Sequence, residues 1–202
     1  MKFDILIAGV GGQGTVLASR LLAASAIKAG YFVRTSETIG MAQRGGCVVS
    51  HVRIGDETLS PVIPYGAADL LIGFEPAEAA RNIARLSPEG KCVVNTRIIK
   101  PVTASLNTVS YDVEPILEYI DKNSSKRIFV DGYDLSEKSG SVKALNTVLL
   151  GITAALGFLP FSKEEIFNII SENVSPKYLD LNKKAFNIGV ESGSKIAKDF
   201  VL

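Results

Sequence analysis

A short apolar strand that enters a helix through a glycine-rich turn constrains this chain more than any other feature. Phe3 to Ala8 is an apolar run ending at glycine, the pattern of a buried strand. Gly9-Val10-Gly11-Gly12-Gln13-Gly14-Thr15 follows, with Gly9, Gly11 and Gly14 in G-x-G-x-x-G spacing. Glycines at those places permit a tight turn, close approach of the backbone to a ligand, and close packing of helix on strand. The stretch from Gln13 to Ala29 then carries only Arg20 and Lys28 as charges. Such a helix must be covered nearly all round. Gly30 stands where a terminating glycine is expected. No Gly-Lys-Ser/Thr follows the turn, so it is not a Walker A loop. One reading is an α/β domain whose helix start faces an anion. In the other, the glycines serve helix packing alone.

The rest of the chain extends the first reading. Strands are expected at Tyr31–Ser36, Cys47–Ile54, Asp69–Phe74, Lys91–Asn95 and Arg127–Val130. Polar loops are expected at Glu37–Gly46 and Ser60–Gly66, and the last strand should close at Asp131-Gly132. Helices are expected from Glu75-Pro76 to Leu86, at Val113–Asp121, Val142–Leu156 and Lys163–Asn173, and from Pro176 onward. The alternation predicts a Rossmann-like α/β fold: a mainly parallel sheet with helices on both faces and a helical C-terminal part. Residues 141–202 should pack on the sheet, within a single unit spanning 1–202.

Composition excludes other classes. The 202 residues are 47% hydrophobic and 21% charged, with a formal net charge of +1. That balance gives no broad electrostatic footprint for nucleic acid. Met1-Lys2-Phe3-Asp4 has no signal-peptide layout, and Cys47 and Cys92 form no disulfide framework. The expected compartment is the cytoplasm. Ala144 to Ser162 is uncharged and long enough to raise a membrane span. Its Asn146, Thr147, Thr153, Gly151, Gly157 and Pro160 favour a buried helix, with no membrane partner. The small residues from Gly151 to Gly157 suit contact with another chain, such as a homodimer of the isolated protein. Internal packing suits them equally.

The second loop is unusual. Glu37-Thr38-Ile39-Gly40-Met41-Ala42-Gln43-Arg44-Gly45-Gly46 offers three glycines and one arginine directly after a strand. Loops at the carboxyl ends of strands line the crevice of an open α/β sheet, so this one should lie beside the Gly9–Gly14 turn. Arg44 could hold a phosphate or carboxylate with its planar fork, or stand as a surface arginine. Glu37 falls where a dinucleotide site places its ribose-binding acid. That supports a stand-alone NAD(P)- or flavin-binding oxidoreductase as the alternative function, and an assembly module as a third. His51 is the only histidine. It stands about 13 Å along a strand from Cys47, too far to share a metal ion with it. A structural role suits His51 best, and no catalytic residue or metal site emerges.

Read together, Val10–Thr15, the Glu37–Gly46 loop and Ser50-His51-Val52-Arg53 closely resemble the 2-oxoacid:ferredoxin oxidoreductase family. The similarity is to the small beta subunit of indolepyruvate enzymes, the gamma-type domain of pyruvate enzymes. It continues through Ser60–Pro64, Gly73–Pro76, Asn95-Thr96, Asn146 and Asn182–Gly189. The resemblance implies oxidative decarboxylation of an aryl pyruvate to an acyl-coenzyme A, with electrons passing to ferredoxin. Two isolated cysteines cannot ligate a four-cysteine cluster, and no Gly-Asp-Gly motif for thiamine diphosphate is present. The resemblance therefore places thiamine diphosphate, magnesium and [4Fe-4S] clusters on a large alpha subunit. The candidate ligand-facing residues are Gly9, Gly11, Gly12, Gln13, Gly14 and Thr15 on the first loop. Those on the second are Glu37, Gly40, Met41, Arg44, Gly45 and Gly46. Coenzyme A is the expected ligand.

Overall fold

The computed structural model describes residues 2–40, 45–55, 60–100 and 112–199. Strand β1 (Phe3–Val10) leads to helix α1 (Thr15–Lys28). A hairpin follows, β2 (Val33–Ile39) and β3 (Cys47–Ile54). Then come β4 (Ala68–Gly73), α2 (Pro76–Asn82), β5 (Leu86–Asn95), α3 (Glu114–Lys122) and β6 (Lys126–Val130). Four helices end the chain: α4 (Gly132–Ser139), α5 (Leu145–Ala155), α6 (Lys163–Asn173) and α7 (Pro176–Asp199). Among the described residues the strands form one sheet in the order β2-β3-β1-β4-β5-β6. This is the expected α/β architecture with a helical C-terminal part.

Four strands, β1, β4, β5 and β6, are mutually parallel. β3 is antiparallel to both β1 and β2. The reason is connection length. Only residues 40–46 join β2 to β3, and a parallel neighbour needs a crossover of roughly a dozen residues or more.

The side chains of β1 divide the core in two. Ile5 and Ile7 face a cluster with Ala18 and Leu22 of α1, Leu149 of α5, Ile166 of α6 and Phe186 of α7. Leu6 and Ala8 face Ala79 of α2 and Ile120 of α3. Helix α5 has every residue but its last buried. It is a core helix, and no described helix is long and apolar enough to cross a membrane. Its Gly151 meets Gly189 of α7, where the two backbones touch.

Local signals misplaced several boundaries. Glu37 to Ile39 belong to β2 and not to a loop, because Val48 to Ser50 pair with them. β5 starts at Leu86, five residues before the apolar run, because Leu86 pairs with Ala68 before a register shift. The last strand closes at Asp131-Gly132 as expected, but the chain passes there directly into α4, a helix not expected: the Asp131 side chain accepts a hydrogen bond from Asp134 N. An Asp-Gly pair serves either purpose, and only the following chain decides. The helix after Pro76 gives way to a 3-10 turn at Ile83–Arg85.

Candidate functional site

β1 and β4 are parallel neighbours. The helix after β1 packs on one face of the sheet and the helix after β4 on the other. Such a reversal opens a crevice at the carboxyl ends of the two strands. The Gly9–Gly14 turn stands at that point.

The second loop meets it there. Gly11 N donates to Gly46 O at 2.9 Å, and Gly45 N approaches Gly11 O at 3.5 Å. The register explains the meeting: Val10, the last residue of β1, lies opposite Cys47, the first of β3. Gly40 closes the hairpin neck, its N–H donating to Cys47 O at 2.8 Å. Met41 and Arg44 lie outside the described residues.

The glycines of the turn do different things. A Cβ on Gly9 would lie 2.8 Å from Phe74 Cβ and 2.7 Å from Gln13 Oε1, so Gly9 is there for packing. Gly12 (φ 101°) is exposed, with open space where a Cβ would point. Gly14 (φ 84°) is the residue from which α1 starts, and α1 has neither a capping side chain nor an acid in its first turn. Thr15 is buried behind it.

Gln13 looks inward. Its Oε1 accepts from Val10 N at 2.8 Å, and its Nε2 donates to Phe74 O at 2.9 Å and Tyr133 Oη at 3.1 Å. Its side chain is thus a brace between the turn, β4 and α4. Asn95, at the end of β5, braces the neighbouring strands. Its Nδ2 donates to Phe74 O at 3.0 Å and its Oδ1 accepts from Gly132 N at 3.0 Å. Its place directly after an apolar strand was the sequence signal, but its partners lie 21 and 37 residues away.

Glu37 accepts from Ser19 Oγ of α1 at 3.2 Å. β3 stands between its strand and β1, so Glu37 is about 10 Å from β1 across the sheet. A dinucleotide fold would have put β2 beside β1.

His51 and Arg53 fasten a loop to the sheet. The Arg53 guanidinium clasps Asp4 on the adjacent strand at 2.9 and 3.0 Å. Its Nη1 also donates to Ser60 O and Val62 O. His51 Nδ1 accepts from Ile63 N at 3.2 Å. Burial lowers the His51 pKa to about 4, helped by the Arg85 and Arg53 cations and opposed by Asp4. The folded state therefore keeps His51 neutral, while the unfolded chain takes up a proton near the ordinary histidine value of 6.5. Its contribution to stability is complete above pH 6.5 and is lost as pH falls towards 4. The loss should be on the order of 1–3 kcal/mol across that window. His51→Asn keeps an acceptor for Ile63 N and removes the titration. Urea unfolding at several pH values should show a flatter profile for the variant, and identical profiles would refute the assignment.

The cysteines do not form a donor set. Cys92 is buried in β5, where burial pushes its thiol up to about 11. Cys47 is exposed at the start of β3. β1 and β4 lie between those strands, a separation of about 14 Å. Among the described residues no three His, Cys, Asp or Glu side chains are grouped to hold a metal ion. These residues do not fit an iron–sulfur cluster.

The sequence model of the pyruvate ferredoxin/flavodoxin oxidoreductase family matches residues 4–192. The chain belongs to this family. Among its relatives, indolepyruvate oxidoreductase subunit IorB of Archaeoglobus fulgidus is 40% identical over 190 residues, 94% of each chain. The subunit of the same name from Pyrococcus horikoshii is 39% identical over 198 residues, 96% of this chain and 98% of the relative. The family fold agrees. The solved gamma subunit of a keto/oxoacid ferredoxin oxidoreductase from Geobacter sulfurreducens superposes with a TM-score of 0.68 at 25% identity. It covers 95% of this chain and 98% of that one. Each of these matches spans more than nine-tenths of both chains.

Proposed function

We propose that this chain is the small subunit of an aryl-pyruvate, specifically indolepyruvate, ferredoxin oxidoreductase. The observation that carries the reading is the joint between the two glycine loops, Gly11 with Gly45 and Gly46, at the sheet's switch point. Full-length similarity to subunits named for that reaction supports it. Thiamine diphosphate, magnesium and [4Fe-4S] clusters belong to a large alpha subunit in this reading. They supply the decarboxylation and carry electrons to ferredoxin. This chain supplies one wall of the crevice that receives coenzyme A. The amides of Gly12, Gly14 and Thr15 face its phosphates, the Gly11 amide being taken by Gly46 O, and Arg44 adds a guanidinium. The whole chain acts as one gamma-type unit, with segment 141–202 part of it.

The test is copurification with a large partner, followed by aryl-pyruvate-dependent ferredoxin reduction with and without this chain. Full activity of the partner alone would defeat the proposal. In the reconstituted complex Arg44→Ala should raise KM for coenzyme A about tenfold, the scale of one lost charge-assisted contact. Unchanged acceptor kinetics would remove Arg44 from the crevice.

A further inference from the structure

We propose that β2 is a docking edge for a second copy of this chain. The two β2 strands pair antiparallel about a two-fold axis at Ser36 and join two six-stranded sheets into one. β2 is the outermost strand on one side of the sheet and β6 on the other. The two edges differ. β6 has five residues and begins with Lys126 and Arg127, which pair with Glu89 and Asp121. Short length and charge keep an edge from pairing. β2 runs seven residues, Val33 to Ile39, in unbroken register with β3. It holds no proline, glycine or lysine, and Val33, Thr35, Thr38 and Ile39 are β-branched, which suits a strand.

The direction of its backbone groups fixes the register. Gly40 N donates to Cys47 O, and Gly55 N donates to Phe32 O. Bonded and unbonded pairs alternate along an antiparallel ladder, so Arg34, Ser36 and Thr38 turn their N–H and C=O groups to β3. Val33, Thr35, Glu37 and Ile39 turn theirs to the open edge. A second β2 can bond only where outward residues meet outward residues. The register centred on Ser36 achieves this along the whole strand: Thr35 meets the partner's Glu37, and Val33 meets the partner's Ile39. Apolar ends then face each other and no like charges stand opposite. Centring on Glu37 would set that carboxylate against itself, and centring on Thr35 would pair only the first five residues.

The flanks carry the same self-complementarity. Leu17, Ile27, Tyr31, Phe32 and Ile39 are half of the large apolar side chains exposed among the described residues, and all fall between α1 and the end of β2. Ser19 of α1 reaches Glu37. Arg20, the next residue, is exposed and has no partner among the described residues. In the dimer the two Glu37 carboxylates stand diagonally across the axis, where Arg20 of each copy can pair with the partner's Glu37. A surface that matches itself about a two-fold axis is what an isologous dimer uses. This dimer is independent of the function proposed above.

Sedimentation of the full chain in a dilution series from about 100 μM tests it. A monomer–dimer equilibrium is expected. Hydrogen exchange should show the Thr35 and Glu37 amides protected only in the dimer, and the Ser36 amide protected at every concentration. Thr35→Pro removes an outward donor and leaves the ladder with β3 intact. Ile39→Lys places a charge opposite the partner's Val33 at a position already 61% exposed in the monomer. Each should weaken the dimer at least about tenfold. A chain that stays monomeric throughout, a dimer that neither variant weakens, or a dimer with unprotected Thr35 and Glu37 amides would overturn the proposal. So would edge amides protected only by the large partner, which would assign the edge to that subunit. If Thr35→Pro fails to fold, Ile39→Lys and the exchange pattern decide in the same way.

Discussion

Asp4→Ala should destabilise the protein by about 3–5 kcal/mol, the cost of leaving a buried charge without its partner. The Asp4 and Arg53 side chains are 0% and 9% exposed and bonded through both carboxylate oxygens. They sit opposite each other on β1 and β3, so removing the carboxylate leaves the guanidinium buried without its counter-charge. For a chain of this length the loss corresponds to a fall in Tm of roughly 6–20 °C. Replacing both partners by apolar residues, Asp4→Leu with Arg53→Met, should recover most of it. Recovery should be incomplete, because Arg53 also holds the carbonyls of Ser60 and Val62. Calorimetry on the three proteins checks this. A single variant that melts within a degree or two of the native chain would show that the pair contributes nothing.

Gly189→Ala should cost about 1–3 kcal/mol, and Gly189→Val more. Alanine is the better helix former by about 1 kcal/mol, so propensity alone predicts the opposite sign. Packing wins because of what the new methyl meets. A Cβ on Gly189 would lie 2.2 Å from Val148 O, and one on Gly151 would lie 2.3 Å from Phe186 O. Backbone oxygens inside a helix cannot rotate away, so α5 and α7 must separate. Nearly all of α5 is buried, and the separation would loosen its contacts with the sheet as well. Glu191→Ala, exposed on the same helix, serves as control and should stay within about 0.5 kcal/mol of the native chain. Urea midpoints compare the three. A stabilised Gly189→Ala would mean that the helices do not cross this closely.

The strand–turn–helix opening was legible because its signals are local. An apolar run, glycines at fixed spacing and a terminal glycine each act within a few residues. The capped helix at Lys163–Asn173 was legible for the same reason, since Ser162 and Glu165 cap it reciprocally. Helix α4 was not legible, because an Asp-Gly pair opens turns and helices alike. The inward role of Gln13 was hidden too. Its position in the motif pointed to a ligand, but Phe74 and Tyr133, 61 and 120 residues away, take its amide hydrogens.

By itself the sequence determined the fold class, the place of the glycine turn at a strand's carboxyl end, and the family, through the Gly40–Gly46 loop and its neighbours. Periodicity, glycine spacing and composition act within segments, and segments are what a sequence displays. Only the tertiary structure decided which segments meet. It inserted antiparallel β3 beside β1, moving Glu37 away from the turn and bringing Gly45 and Gly46 to it. It assigned the small residues of α5 to a crossing with α7, where backbone contact requires glycine on both helices. And it set Asn146 against Gly14, 132 residues earlier in the chain. Contacts across such distances depend on how the sheet and helices stack, which no local pattern encodes.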